Sequence, residues 1–213
     1  MLRFIPWADP LALAAYLGAI LLAVTVHEFA HAWAADRLGD PTPRREGRLT
    51  LNPLAHLDPV GGLMLLLFGF GWARPVPVNP WFFRDARKGM LLVALAGPLA
   101  NVVLAWMAKV LLELLLHSGQ LSPWAVLMSP VGRFLRLAQN LNLWLAAFNL
   151  IPVPPLDGSR VLAGLLGPAQ AAALARLEAY GPLFLVLLIA SGASALILHP
   201  IYRLLVLLIG GLS

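Results

Sequence analysis

Long apolar stretches separated by short polar ones dominate the chain and predict helices that cross a lipid bilayer. The first stretch, residues 11–35, holds only three ionisable side chains, and its 25 residues are long enough for one span. A cleaved signal peptide is the alternative, but the stretch is too long and has no cleavage site of small residues. We expect about four full spans, at residues 11–35, 89–117, 134–156 and 180–198.

Shorter segments between these spans have a different character. Residues 60–73 form an apolar run of about fourteen residues interrupted by glycines, which favours a re-entrant or interfacial piece. Residues 74–80 carry alternate prolines, which exclude a helix or a central strand and suit an extended edge strand or hairpin. Residues 161–177 are amphipathic at best, and Pro200 is expected to end the fourth span. These features predict an all-α polytopic membrane protein of one domain (residues 1–213), with about four full transmembrane helices, half-membrane segments and a short proline-containing β-hairpin.

The composition supports a membrane protein and excludes several other classes. Hydrophobic residues make up 60% of the chain and charged residues 12%, against about 45–50% and about 25% in soluble globular domains. So few charged side chains cannot cover a soluble enzyme, and they exclude a disordered tail or a nucleic-acid binder. The lipid bilayer is therefore the expected partner. The chain has no cysteine, so His, Asp or Glu would have to bind any metal.

The distribution of cationic side chains predicts the orientation of the chain in the membrane. Loops rich in Lys and Arg face the cytoplasm, and the cations behind the net charge of +5 cluster between the apolar stretches. We therefore expect a multi-pass protein of the cell (inner) membrane with its N-terminus outside. The cations expected at the cytoplasmic face are Arg37, Arg44, Arg45, Arg48, Arg74, Arg84, Arg87, Lys88, Arg160 and Arg176, and those expected opposite are Arg3, Arg133, Arg136 and Arg203.

A polar cluster within the first span has the spacing of a metal site. His27 and His31 are four residues apart, so on a helix their imidazoles lie one turn apart and can bind one zinc ion. Glu28 points about 100° away from His27, and it can reach a metal-bound water and act as general base. Three ionisable side chains in an apolar span are costly, which favours a functional site over a polar cluster that only packs helices.

A catalytic zinc needs a third protein ligand, and Asp157 is the best candidate among the remaining carboxylates. It follows a stretch with three prolines at the end of the third predicted span. Broken backbone at membrane depth is tolerated where it lines an enclosed cavity, and the carboxylate would then face the site. The alternative interpretation is an N-cap for a helix that begins near Ser159.

Two asparagines in the apolar stretches are candidates for contact with substrate. Asn101 lies in the second span after Gly97 and Pro98, and it either positions substrate or makes a packing hydrogen bond. Gly97 allows a neighbouring segment to approach closely. Asn149 is expected to donate a hydrogen bond to a substrate carbonyl or oxyanion, with a purely structural role as the alternative.

The other polar side chains have simpler interpretations. His56 and Asp58 are expected to order a polar loop, with a contact to substrate or to a gate as the alternative. Lys109 and Glu113 are four residues apart in the second span and should pair. Two further histidines are expected at the membrane interface, namely His117 and His199.

Five motifs in the same order resemble those of the site-2 protease family, which are intramembrane zinc metalloproteases. Each motif alone is weak, but the set spans roughly residues 11–165 and is specific. The resemblance is to the short bacterial branch, without a PDZ module, a regulatory domain or a span before the motif helix. The motifs are His27-Glu-Phe-Ala-His31, Asn52-Pro-Leu-Ala-His-Leu-Asp-Pro-Val-Gly61, Gly71-Trp-Ala-Arg-Pro-Val-Pro-Val-Asn79, Ala96-Gly-Pro-Leu-Ala-Asn101 and Asn149-Leu-Ile-Pro-Val-Pro-Pro-Leu-Asp-Gly158.

The resemblance implies one zinc ion bound by His27, His31 and Asp157, with Glu28 activating water. It implies regulated intramembrane proteolysis, in which a transmembrane protein is cut in or near its membrane segment by an active site that opens toward the cytoplasm. It also implies a hairpin near residues 71–79 that meets the substrate as an extended strand, which would satisfy the backbone groups of an unwound helix. The hairpin residues expected at the substrate are Trp72, Arg74, Val76 and Val78.

Two rival functions use the same residues. One is a membrane transporter or metal-handling protein in which His27, His31 and Asp157 form an ion path. The other is a catalytically silent scaffold relative, against which the intact Glu28 argues. One departure from the family pattern is Ser159, where many relatives carry a second glycine, and we expect little consequence. The sequence predicts no particular oligomeric state.

Overall fold

The computed structural model describes residues 9–68 and 71–211, and helices dominate this part of the chain. Of the residues in these two ranges 76% are helical, and they contain no strand, only one isolated β-bridge. The predicted all-helical class is therefore confirmed. The helices are α1 (Pro10–Arg37), α2 (Thr42–Arg45), α3 (Pro59–Phe68), α4 (Ala86–His117), α5 (Pro123–Met128), α6 (Pro130–Asn149), α7 (Asp157–Leu165), α8 (Pro168–Leu177), α9 (Gly181–Ala190) and α10 (Ser194–Leu208).

Helices α1 and α4 are long and apolar enough to cross a membrane. They have 28 and 32 residues, or roughly 42 and 48 Å at 1.5 Å per residue. Asp9 caps α1 by accepting from the backbone N–H groups of Leu11 and Ala12, and Asp85 caps α4 by accepting from that of Lys88. The first two predicted spans thus correspond to continuous helices.

Small side chains bring α1, α4 and α6 close together in the centre of the fold. Association of apolar helices in lipid depends on close packing, which alanine and glycine allow. The buried core is accordingly rich in alanine. This tight packing sets how the three helices are aligned along their axes, and so which of their polar side chains meet. The fully or almost fully buried alanines are Ala19, Ala23, Ala32 and Ala35 of α1, Ala94, Ala105 and Ala108 of α4, and Ala138, Ala146 and Ala147 of α6.

The later predicted spans differ from the structure. The third one stops being helical at Asn149, the end of α6, and continues as an irregular turn over residues 150–156. The fourth is divided into α9 and α10, whose boundary lies at residues 191–193, where Gly192 has a φ of +74°. The prediction that Pro200 ends the fourth span is wrong, because Pro200 lies within α10. Glycine in the left-handed conformation is a strong helix terminator, whereas membrane helices tolerate an internal proline.

Residues 71–79, the extended segment, do not form the predicted β-hairpin. Their single bridge joins Ala73 to Leu57, and the backbone N–H of Arg74 donates to the carbonyl of His56 over 2.9 Å. Pro75 and Pro77 have no N–H and cannot continue a ladder of hydrogen bonds. The bonded edge of the segment carries the backbone groups of Arg74 and Val76, and we call it the inner edge.

Candidate metal centre

Helix α1 brings two imidazoles together at the centre of the bundle. His27 and His31 lie one turn apart, both are buried, and their Nε2 atoms are 3.0 Å from each other. Asp157 completes the group, because its Oδ2 lies 3.1 Å from Nε2 of His27 and 3.2 Å from Nε2 of His31. The three predicted metal ligands therefore converge on one point.

The turn that follows α6 places Asp157 at this point. Residues 150–156 fold back through hydrogen bonds from Val153 to Ile151 and from Leu156 to Val153. Gly158 lies so close to the carbonyl of Ile151 that a Cβ atom would collide with it. Asp157 is the first residue of α7 and Leu156 occupies the cap position, so the alternative in which Asp157 caps a helix starting near Ser159 does not hold.

The hydrogen bonds of the two imidazoles fix their tautomers. Nδ1 of His31 lies 2.7 Å from the carbonyl of Val93, which can only accept, so this nitrogen carries the proton. Nδ1 of His27 lies 2.6 Å from Oδ1 of Asn101 and also donates. Both Nε2 atoms therefore present lone pairs to each other and to Asp157, whose buried Oδ2 receives no hydrogen bond.

Three acceptor atoms without a proton between them fit a cation. Two imidazoles and one carboxylate are a common donor set for catalytic zinc, with bonds of about 2.0–2.2 Å. Tetrahedral geometry with such bonds puts ligand atoms about 3.3 Å apart, close to the 3.0–3.2 Å separations found here. The cluster thus matches zinc in both donor chemistry and size.

Gly97 of α4 provides the space in which the imidazoles lie. A Cβ atom at this position would come within 2.5 Å of Nε2 of His31 and 2.7 Å of Cε1 of His27. The prediction that Gly97 permits a close approach is confirmed, and the segment that approaches is the face of α1 that carries His27 and His31.

Asn101 lies behind His27 rather than in an open substrate site. It is completely buried, its oxygen is used by His27, and its Nδ2 donates to the carbonyl of Ala23 and to Oδ1 of Asn142. The hydrogen-bonding alternative for Asn101 thus fits the structure, whereas contact with substrate does not. Asn142 was missed in the sequence, although a buried amide in an apolar helix requires a partner there just as Asn101 does.

Glu28 faces the extended segment. One of its carboxylate oxygens, Oε2, accepts a hydrogen bond from the backbone N–H of Val76 over 3.2 Å. Arg74 lies two residues before Val76, and its carbonyl accepts a hydrogen bond from the buried guanidinium of Arg48. Burial lowers the pKa of Arg48, and the carboxylate of Glu28 opposes this effect. Two charged side chains of the chain itself thus bind the inner edge of the segment, Arg48 at the carbonyl of Arg74 and Glu28 at the N–H of Val76.

The remaining predicted residues of the segment and of α6 make contacts with residues other than the three candidate ligands. Trp72 is half exposed, and its backbone crosses Gly61 closely. Val78 packs against the cluster of Ala35, Phe83 and Val93. The side chain of Asn149 donates back to the carbonyl of Leu145 over 3.0 Å.

Two other predictions concern polar residues outside the centre. His56 is fully buried, with Nε2 2.8 Å from the carbonyl of Thr50, and Asp58 accepts from the N–H of Gly61 over 2.7 Å, so both order their loop. Lys109 and Glu113 form the expected ion pair.

Comparison with known proteins places these residues in a family. The profile of Peptidase family M50 matches residues 15–189. YwhC of Bacillus subtilis is 41% identical over 192 residues, covering 90% of this chain and 87% of the relative. Rip2 of Mycobacterium tuberculosis is 34% identical over 174 residues, covering 79% and 63%. Both relatives bear the name "Putative zinc metalloprotease". No solved structure gives a significant match.

The matched region contains the whole His–His–Asp cluster, Glu28 and the extended segment. Profile and relatives agree on the same chemistry, and the cluster accommodates the metal that the relatives' names specify. The chain therefore belongs to peptidase family M50, the site-2 protease family, and is an intramembrane zinc metalloprotease.

Proposed function

We propose that His27, His31 and Asp157 hold the catalytic zinc and that Glu28 is the general base for hydrolysis of a peptide bond in or near a transmembrane segment. The observation that carries this proposal is the convergence of three buried acceptor atoms within 3.0–3.2 Å of one another. A metal ion explains why these atoms lie together in an apolar bundle, where unpaired polar groups are costly.

Glu28 is the residue that moves protons. A zinc ion at this centre would supply Lewis acidity and lower the pKa of a bound water to about 7. Glu28 follows His27 on α1, and only its Oε2 is bonded to Val76. Oε1 is left to accept a proton from the attacking water and to deliver it to the leaving amine. Nδ1 of each histidine stays bonded to its oxygen partner, which holds the imidazoles in place throughout.

The extended segment is the proposed contact for an unwound substrate. The inner edge already uses the N–H of Val76 to bind Glu28. A substrate strand entering beside this edge could accept that N–H through one of its own carbonyls, which would release Oε2 of Glu28. Strand addition of this kind supplies partners for backbone groups that a transmembrane helix loses when it unwinds.

The arrangement in the membrane is proposed on the combined pattern of helices and charges. Besides α1 and α4, α6 has 20 residues, which gives roughly 30 Å of helix and matches the hydrocarbon core. α9 and α10 together would supply a fourth crossing. With the cation clusters in the cytoplasm, the N-terminus lies outside and water reaches the metal from the cytoplasmic face. We propose that residues 1–213 form one membrane-embedded domain.

Substitution of Glu28 tests the mechanism. The Glu28→Gln variant should bind zinc with near-normal affinity and lose cleavage of a reporter protein that carries a transmembrane segment, because the amide cannot take a proton. A matched control is Glu46→Gln, which removes an exposed carboxylate of the neighbouring loop and should cleave normally. Zinc is measured by metal analysis of purified protein, and cleavage by immunoblotting in cells.

Two results would count against the proposal. Full cleavage by Glu28→Gln would exclude this residue as the base. Unchanged zinc content in Asp157→Ala would exclude the third ligand. Natural substrates can then be sought by comparing membrane fragments in cells that carry the wild-type chain and the Glu28→Gln variant.

A further inference from the structure

A line of buried amides leads from the metal centre into the helix bundle. Oδ1 of Asn101 lies 2.6 Å from Nδ1 of His27, and Nδ2 of Asn101 lies 2.7 Å from Oδ1 of Asn142. Nδ2 of Asn142 in turn donates to the carbonyl of Ala138 over 2.7 Å. Both asparagines are completely buried, so solvent does not replace any of these bonds.

Two backbone carbonyls fix the orientation of the amides. A carbonyl oxygen can only accept, so the bond to Ala138 requires the nitrogen of Asn142 on that side and its oxygen toward Asn101. The bond from Asn101 to the carbonyl of Ala23 works in the same way. As a result, the oxygen of Asn101 faces His27, which must then carry its proton on Nδ1.

We propose that Asn142 is a positioning residue for zinc binding, acting through Asn101 on His27. Its oxygen satisfies the second N–H of Asn101 and, together with the carbonyl of Ala23, holds that amide in the orientation in which Nε2 of His27 keeps its lone pair for the metal. In the reversed orientation the amide nitrogen of Asn101 would face Nδ1, and the proton of His27 would belong on Nε2, where it excludes the metal. This inference rests on the proposed role of His27 as a zinc ligand.

The expected loss of zinc affinity can be judged from residues in other proteins that hydrogen-bond to metal ligands. Loss of a hydrogen-bond partner of a zinc-binding histidine usually weakens metal affinity about 10–100-fold. Asn142 is one step further from the metal, so the lower end of this range is expected. The Asn142→Leu variant, which keeps the branching at Cγ but has no polar atom, should raise the zinc dissociation constant about tenfold.

Gln139 provides a matched control on the same helix. It is also buried in α6, and its Nε2 has no protein partner among the described residues. The Gln139→Leu variant removes an equally buried amide without touching the line from His27. Its zinc dissociation constant should stay within about threefold of wild type, since no partner of a ligand is lost.

Competition with a chromogenic chelator on the purified full-length protein measures these dissociation constants. The visible spectrum of the cobalt-substituted protein gives a second readout, since a displaced His27 alters the ligand field. A purely structural role would lower the metal-free melting temperature of both leucine variants alike and leave the cobalt spectrum unchanged. Asn142→Leu with wild-type zinc affinity, or an equal loss in Gln139→Leu, would overturn the proposal.

A second variant covers the case in which Asn142→Leu does not fold. In Asn142→Ser, the hydroxyl can still donate to the carbonyl of Ala138 but is too short to reach Asn101. Its zinc affinity should also fall about tenfold. Unchanged affinity in Asn142→Ser would overturn the proposal in the same way.

A double variant separates action through Asn101 from a direct effect. Once Asn101→Leu has broken the line, adding Asn142→Leu should change zinc affinity no further. An additive second loss would contradict the proposed route. The ligand assignment is tested by His27→Ala: if that variant binds zinc as tightly as wild type, the proposed function fails, whereas a normal Asn142→Leu beside a defective His27→Ala defeats only this inference.

Discussion

At position 97 the lack of a side chain lets α4 lie directly against the two imidazoles. His27 and His31 are held from behind by Asn101 and by the carbonyl of Val93, while Gly97 closes the site in front. The imidazoles therefore have little room to rotate. Rigid placement of this kind prepares the ligands for metal before the metal arrives.

Adding one methyl group at this position should disturb the metal centre. In Gly97→Ala the new Cβ would lie 2.5 Å from Nε2 of His31, so an imidazole or the helix must shift, and zinc affinity should fall about tenfold or more. The measurement is the zinc dissociation constant together with the melting temperature.

Gly18→Ala is the control for this substitution. Residue 18 lies on α1, and its nearest atom would be 3.8 Å away, on Phe134. Because alanine favours a helix, this variant should bind zinc normally and melt at an equal or slightly higher temperature. Normal zinc binding by Gly97→Ala would show that the site adapts.

At the scale of elements, patterns within one helix could be predicted, whereas pairings between elements could not. The apolar lengths of α1 and α4 and the spacing of His27 and His31 are local properties of the sequence. The break at Gly192 and the continuity of α10 through Pro200 depend on backbone conformation and surroundings. Local propensity alone predicts that the helix ends at Pro200 and does not single out Gly192, whereas in the structure the helix breaks at Gly192 and continues through Pro200.

The candidate site shows the same division. The candidate metal ligands could be recognised because few residue types bind zinc and an apolar span contains few ionisable groups. The sequence identifies Asn101 as a buried amide that needs a hydrogen-bond partner. That the partner is His27 and not a substrate depends on how closely α1 and α4 pack. Contacts such as that of Val76 with Glu28 join residues 48 positions apart, and nothing in the local sequence specifies them.

The extended segment is expected to act through one backbone N–H. Val76→Pro removes the donor to Glu28 and to the proposed substrate strand, while proline still fits an extended chain. A hydrogen bond to a charged group contributes about 1.5–3 kcal/mol, so kcat/KM for a transmembrane reporter should fall about ten- to a hundredfold. Zinc affinity should not change.

Val76→Ala separates the backbone from the side chain. It keeps the N–H and loses only part of a half-buried side chain, so it should retain most activity. Equal activity of the proline and alanine variants would mean that this N–H has no part in catalysis.

For the whole molecule, the natural absence of cysteine makes the orientation directly measurable. Single substitutions Arg45→Cys and Ser118→Cys introduce thiols at exposed positions on either side of the proposed membrane. In spheroplasts, a membrane-impermeant maleimide should label Ser118→Cys but not Arg45→Cys, and detergent should make both reactive. The reverse labelling pattern would invert the proposed topology, and labelling of both would exclude it.

The prolines of the extended segment also determine which side of it can take a partner. Arg74 and Val76 turn their backbone groups inward, whereas Pro75 and Pro77, which alternate with them, have no N–H to offer on the opposite side. Unprotected strand edges invite pairing with other chains. A side without N–H groups disfavours pairing with a second strand, so the substrate strand proposed above would pair with the side where Glu28 lies.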